Sequence, residues 1–455
     1  MRRMSLLLTA RWVVPIHARP IANGAVRVEG GRIRWVGRLE DLPGAEAPIE
    51  RIDLGEADLL PGLVNAHTHL ELTAFRSLCE ETDFAEWLRR LIEAKYTRFP
   101  ASGYAASSRW GVIEAIRAGV TCVGDGSDSG TVLDALIAGG LRGIVYREVF
   151  GRDEKDLETS LGGLREGLAG DLEKATERVR PGVSPHSPYT ASAGLIRAAA
   201  ELSGERRLPF MVHAAESRAE EDLLRSGTGP FLEGFRARGV RWIPPRKSTV
   251  RYLAELGALG PRTLLVHMVN ADHDDISEVV RAGASVAHCP RSNAKLGHGV
   301  APAAEMLSRG VPLGLGTDGA PSNNVCDVLD EARAAVLFQR ALCGEGARSL
   351  GAGAVLRLAT IGGARALGLD AEIGTLEPGK IADLCAVDLS APHHLPVHDV
   401  EAALVFSASA RDVVLTMVEG KVLYRGGRVL TFDEDAAREE LLAAAAALGP
   451  PGGPQ

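Results

Sequence analysis

Two histidines separated by one threonine, His67-Thr68-His69, end the apolar run DLLPGLVNAHTH (58–69). In an extended segment residues i and i+2 project to the same side, so both imidazoles can converge on one ion. Zinc takes His nitrogen at ~2.0–2.1 Å, and a catalytic site keeps a position open for water, so two or three further protein ligands are needed. His213 and Asp318 are the natural candidates, each near the C-terminal end of another strand-like run, PFMVHAAE (209–216) and PLGLGTD (312–318). His186 and His267 close two more, RPGVSPH (180–186) and TLLVHMV (263–269). A divalent ion lowers the pKa of bound water toward ~7, and Asp318 could accept the released proton while touching the ion. Any one of these histidines is as readily a core residue bonded to backbone; their recurrence at strand ends argues for a site.

The elements that must position them have a regular order. Eight strand candidates can be counted, the five above together with VTCVGDG (120–126), GIVYREVF (143–150) and SVAHCP (285–290), alternating with amphipathic helical stretches. Eight parallel strands with intervening helices make a (β/α)8 TIM barrel, whose catalytic rim lies at the C-terminal strand ends. Glycines such as Gly119, Gly140, Gly283 and Gly310 sit where a helix needs a left-handed residue before the next strand. Residues 1–60 and 366–440 instead read as short strands and Gly-rich turns. The fold class expected is α/β, a barrel over 61–365 with a small β-sandwich built from those two end segments, and a helix end with a disordered tail at 441–455. The polar stretch 151–179 reads as a helix and connections outside the barrel wall.

Composition excludes several other classes. The 455 residues are 45% hydrophobic and 24% charged with a net charge of −8, an ordinary globular balance without a basic footprint for nucleic acid or anionic lipid. Arg11 interrupts the N-terminal apolar stretch, so neither a signal peptide nor a membrane span is expected. Six cysteines without a C-x-x-C pair fit reduced thiols in a cytoplasm. A homodimer is compatible with such a barrel.

Six ordered segments carry a family resemblance: PGLVNAHTHLE (61–71), SPHSPYT (184–190), HAAES (213–217), HMV (267–269), HCPRSNAKLGHGVAP (288–302) and GTDGAPSNN (316–324). Together they resemble the amidohydrolase superfamily, in its mononuclear-zinc aminohydrolase and chlorohydrolase branch. The resemblance implies zinc ligation by His67, His69, His213 and Asp318. It further implies proton shuttling by Glu216, water positioning by His267 and a substrate contact at His186. The fourth strand ends in Pro185-His186 rather than the lysine of two-metal relatives, so a single divalent ion is expected, zinc first, with iron or manganese tolerated by the same donors. A carboxylate such as Glu216 suits the chemistry of a deaminase, which protonates a ring nitrogen and then the departing amine. His267 could stabilise the charge that develops on oxygen. Glu216 could instead merely cap the helix beginning near Ser217.

The run 67–95 looks most like deaminases of aminodeoxyfutalosine, whereas HCPRSN and GTDGAPSNN look equally like deaminases of adenosylhomocysteine or methylthioadenosine. The latter have a ribose-gripping glutamate shortly after the tryptophan corresponding to Trp87; here Tyr96 stands near that place, with Glu93 earlier. Arg147 and Arg291 could pair with a substrate carboxylate. Trp242, in the insertion 229–248, is a candidate for stacking on substrate. His288, Asn293 and Lys295 could line the pocket or hold a loop, Ser322, Asn323 and Asn324 tie down the loop after the eighth strand, and His298 reads as a surface or loop residue. The reading is a metal-dependent deaminase of an adenine-type nucleoside. The alternatives are a chlorohydrolase or amidohydrolase on a triazine-like ring, a guanine deaminase, or a catalytically dead binding protein.

Overall fold

The computed structural model describes residues 5–44, 49–80, 83–344 and 350–449. Eight parallel strands follow in chain order around a ring: Leu63–His69, Val120–Ser127, Arg142–Val149, Val179–Pro185, Phe210–Ala214, Thr263–His267, Ser285–His288, and an eighth in two pieces, Leu313–Leu315 and Asp318–Gly319. The eighth closes the barrel. Its first piece pairs with the seventh strand, Leu315 against His288, and its second with the first strand, Gly319 against His69. Every residue of the first strand is buried. Strands covered on both faces have no polar side to show, which is why they read as continuous apolar runs rather than alternating ones.

Helices cover the outside of the ring. The polar stretch after the third strand forms Leu157–Lys174, which turns Leu161, Leu164, Leu168 and the Asp171 carboxylate to the barrel and its other charges outward. Helix-ending glycines take the left-handed conformation expected, with φ +80° at Gly140 and +67° at Gly283.

A second, mixed sheet draws on both ends of the chain. Ser5–Val13, Ile21–Glu29, Arg32–Arg38, Ile49–Asp53 and Ala57–Pro61 come from one side, and Leu384–Asp388, Val413–Val418, Lys421–Arg425 and Arg428–Val429 from the other. They meet where Ala57–Pro61 pairs antiparallel with Leu384–Asp388, Leu384 opposite Pro61. The run 58–69, read as one strand, is therefore two strands in two sheets. The crossing is at Gly62, whose N–H donates to the Asp383 carbonyl at 2.9 Å and where a Cβ would collide with the Thr121 side chain. Because the run is apolar on both sides of the crossing, no change of polarity marks it.

Toward the C-terminus the helix Glu434–Ala445 packs beside Gly103–Arg117. The Pro/Gly segment 450–455, read as disordered, lies outside the described residues. Among those described, no helix is long and apolar enough to cross a membrane.

Candidate metal centre and pocket

Strand direction brings four donors to one rim. His67 and His69 leave the first strand, His213 the fifth and Asp318 the eighth, and the three imidazoles offer nitrogens within 4.8 Å of one another. His67 Nε2 lies 3.3 Å from His213 Nε2 and 3.5 Å from Asp318 Oδ1, and His69 Nε2 lies 3.6 Å from that same oxygen. Ligands at ~2.0–2.1 Å in a tetrahedron stand about 3.3–3.4 Å apart, so these spacings are those of a cation's coordination edges. The outer nitrogens agree. His69 Nδ1 donates to the Gly126 carbonyl at 2.8 Å and His213 Nδ1 to the His186 carbonyl at 2.9 Å. A carbonyl can only accept, so both rings turn an unprotonated Nε2 inward, as ligation requires. Burial pushes His67 down to about 4 and His213 well below its usual range, leaving both neutral. The donor set therefore fits a single divalent cation.

Asp318 is held from behind. Ser292 and Ser322 donate their hydroxyls to its Oδ2 at 2.6 and 2.9 Å, leaving Oδ1 to face the histidines. The backbone is left-handed at Asp318 (φ +58°), Ala215 (+50°), His267 (+76°) and Met268 (+54°), all at or just beyond barrel strand ends. Such strain costs on the order of 1–3 kcal/mol per residue and concentrates at sites where direction matters more than stability.

Glu216 is fully enclosed and does not cap the following helix; Ser217 does, accepting from the Glu220 N–H. Tyr189 OH donates to Glu216 Oε2 at 2.6 Å, while Oε1 lies 3.5 Å from both His267 Nε2 and His298 Nε2. Burial alone would raise this carboxyl, but His267 and His298 outweigh it and hold it at about 2. His267 Nδ1 is 2.9 Å from Asn293 Oδ1, an acceptor, so its Nε2 is the nitrogen left for the pocket. His298, read as a surface or loop residue, lies in a loop but not at the surface: its ring packs edge-on against Phe84 and its side chain is buried against Glu216. No periodicity marks a loop histidine, and only its place between Gly297 and Gly299 hints at a close approach. Tyr189 had a signal, three residues beyond His186 in the same turn.

Glu220 fixes where Glu216 points, its two oxygens accepting the backbone N–H of Ala215 at 3.0 Å and of Glu216 at 2.8 Å, with Thr249 OH at 2.8 Å. Burial pushes Glu220 up to about 8, yet three donors aimed at it call for an acceptor on both oxygens, and the geometry favours the ionised form. Glu220→Gln offers one oxygen and a donor where another donor already points. The expected result is a loss of about 1–3 kcal/mol in denaturant unfolding together with reduced kcat; unchanged kcat would detach this carboxylate from the site.

One cavity of about 700 Å³ opens over these groups, lined at its base by His69, His186, His213, Glu216, His267 and Asp318. Its apolar wall includes Phe84, Trp87, Leu91, Phe150 and Tyr189. Glu148 reaches it from the third strand as a buried carboxyl with one oxygen unpartnered, raised by burial. His186 stacks on His213 with ring centres 4.4 Å apart, its Nδ1 2.9 Å from Thr190 Oγ1. Trp87 lines the cavity with its ring stacked on Phe84, centres 5.9 Å apart. Tyr96 also lines the cavity, its hydroxyl given to Asp128 at 2.6 Å, while Glu93 pairs with Arg89 outside it.

Other residues read as substrate contacts are elsewhere. Arg147 faces away from the barrel interior, making a bidentate pair with Asp171 (2.9 and 2.6 Å) on the covering helix, because it alternates with the inward-facing Tyr146 and Glu148. Arg291 lies near Asp330 and Glu331 and outside the cavity lining. Trp242 donates to the Leu223 carbonyl and packs on Phe235, so its insertion presents Arg238 and Val240 to the cavity in its place. His288 is buried away from the cavity, and Lys295 bonds the Pro321 carbonyl and Asn324, tying down the loop after the eighth strand.

Comparison with known proteins matches residues 59–423 to the amidohydrolase family. A 5-methylthioadenosine/S-adenosylhomocysteine deaminase of Moorella thermoacetica is 34% identical over 93% of this chain and 95% of its own. A 5'-deoxyadenosine deaminase of Methanothermobacter thermautotrophicus is 34% identical over 98% of this chain and 99% of its own. Among solved structures, an adenosine deaminase from Xanthomonas campestris with bound zinc superposes with a TM-score of 0.86 at 28% identity, covering 98% of each chain.

Proposed function

Because this chain belongs to the amidohydrolase family, we propose that it is a zinc-dependent hydrolytic deaminase of the adenine ring of a 5′-substituted nucleoside. The observation that carries this reading is the pairing of a four-donor cation site with Glu216 at the floor of one cavity. His67, His69, His213 and Asp318 would hold the cation, which when bound supplies an electrophile that lowers the pKa of water toward ~7. Held near 2, Glu216 is ionised in the resting pocket, so its first act is to accept a proton from water rather than to give one. It then delivers that proton to the ring nitrogen beside the carbon under attack. The water oxygen bonds to carbon as the ring C=N electron pair moves to nitrogen. Asp318 takes the second proton of the water and passes it to the exocyclic amine, the C–N bond breaks, ammonia leaves and a carbonyl remains.

His267 holds the incoming water through Nε2, its orientation set by Asn293. His186 and Trp87 orient the base, and the apolar wall excludes bulk water. Cys122, Cys289, Cys326 and Cys385 carry free thiols, in keeping with a reducing cytoplasm. Zinc-loaded protein given adenosine, 5′-methylthioadenosine, 5′-deoxyadenosine, guanine and a chlorinated triazine should release ammonia from the adenosines, with the accompanying ultraviolet change. Chloride from the triazine without ammonia from any adenosine would overturn the proposal in favour of the chlorohydrolase reading.

A further inference from the structure

We propose that His393, His394 and Asp412 form a second divalent-cation site, separate from the catalytic cavity and suited to zinc or another nitrogen-seeking first-row metal. None of the three lines that cavity. Their donor atoms lie within 4.8 Å of one another, and the two rings have centres 3.9 Å apart. His394 Nε2 is 3.4 Å from Asp412 Oδ1, an edge like the 3.5 Å between His67 Nε2 and Asp318 Oδ1 in the catalytic centre, and His393 Nε2 is 3.9 Å from the same oxygen. The wider edge belongs to the exposed ring, which can turn inward without displacing packed neighbours.

Hydrogen bonding leaves two of these donors facing each other with no proton to share. The Ser407 hydroxyl donates to the Ala403 carbonyl at 2.9 Å, so its oxygen is left to accept from His394 Nδ1 at 3.0 Å. A neutral ring with its proton on Nδ1 presents a lone pair at Nε2. Asp412 Oδ2 accepts the Ser409 N–H and hydroxyl at 2.8 and 3.1 Å, which leaves Oδ1 for the imidazoles. His394 is buried, and its Nε2 has no hydrogen-bond partner among the described residues. A buried acceptor set against a carboxylate oxygen is costly. A cation between them satisfies both lone pairs at once.

The fold accounts for the meeting of residues 18 positions apart. His393 and His394 lie on the short turn Pro392–His394, after the strand Leu384–Asp388, and Asp412 closes the turn Ala410–Asp412, before the strand Val413–Val418. Those strands pair antiparallel, Val387 opposite Val413, so a cation held by the two turns would join both ends of the connection 389–412. Two imidazoles and a carboxylate select zinc, nickel or copper over magnesium or calcium, which take oxygen ligands. With three protein donors and an open side this is the weaker site, filled by added zinc after the catalytic one.

The test is zinc binding by the full chain, loaded with zinc and then dialysed free of excess cation, in wild type, His393→Ala and Asp412→Asn. His393 is exposed, so its truncation leaves the interior untouched. Asparagine at 412 can still accept from Ser409, but it turns an amide N–H2 toward the histidines. Calorimetric titration with zinc chloride should show one further equivalent in wild type, at a roughly micromolar Kd, and weakening by roughly tenfold or more in each variant. The same addition should raise the melting temperature of wild type and leave both variants nearly unmoved. An excess of magnesium should not displace the zinc. Whatever the catalytic centre holds is common to the three proteins and cancels in the comparison. No further equivalent in wild type, uptake undiminished in either variant, or displacement by magnesium would overturn the second site while leaving the deaminase reading intact.

Discussion

Glu216→Gln should lower kcat by about 10²–10⁴-fold while the protein keeps its bound metal and its melting temperature. Glutamine matches the shape of glutamate, and its amide oxygen can still accept the Tyr189 hydroxyl that now sits 2.6 Å from Oε2. It cannot take up a proton and hand it on. The loss should therefore fall on kcat rather than on KM, the signature of an interaction that matters only in the transition state. Steady-state kinetics, metal analysis and thermal unfolding on one preparation separate this outcome from misfolding. Wild-type turnover in the variant would remove Glu216 from proton transfer.

Asp318→Asn should lose most of the bound cation and reduce kcat/KM by about 10³-fold or more, since a neutral amide is both a weaker ligand and no base. Ser292 and Ser322 can still donate to an oxygen at that position, while the amide nitrogen then faces the Gly319 N–H that now donates to Oδ1 at 2.7 Å. A second readout is thermodynamic. A cation present at 100 times its Kd stabilises a native site by about 2.7 kcal/mol, so chelator should lower the wild-type melting temperature and leave the variant's nearly unmoved. Equal metal content and equal response to chelator in the two proteins would show that Asp318 is not a ligand.

Much of the arrangement was legible along the chain because strand position is a local property. Apolar runs bounded by glycine turns mark the eight strands, and a histidine or aspartate at the end of such a run must sit near one rim once the strands are parallel. His67, His69, His213, His267 and Asp318 could be chosen on that ground before any coordinate was known. Face and loop path are different in kind. A strand buried on both sides shows no alternation of polarity, so nothing in GIVYREVF says that Arg147 turns out to Asp171 while Glu148 turns in toward the cavity. The same two-sided burial hid the break at Gly62.

What the amino-acid order determined by itself was the barrel, its companion sheet and the metal-binding character of one rim, because those follow from periodicity and residue type over short windows. Only the tertiary structure decided that His298 and Tyr189 close around Glu216, that Glu220 grips its backbone, and that Arg238 rather than Trp242 reaches the cavity. Loops carry no repeating pattern, and their side chains are directed by the packing of elements distant in sequence, such as His298 against Phe84. A contact between residues 214 positions apart is a property of the folded surface, not of either neighbourhood.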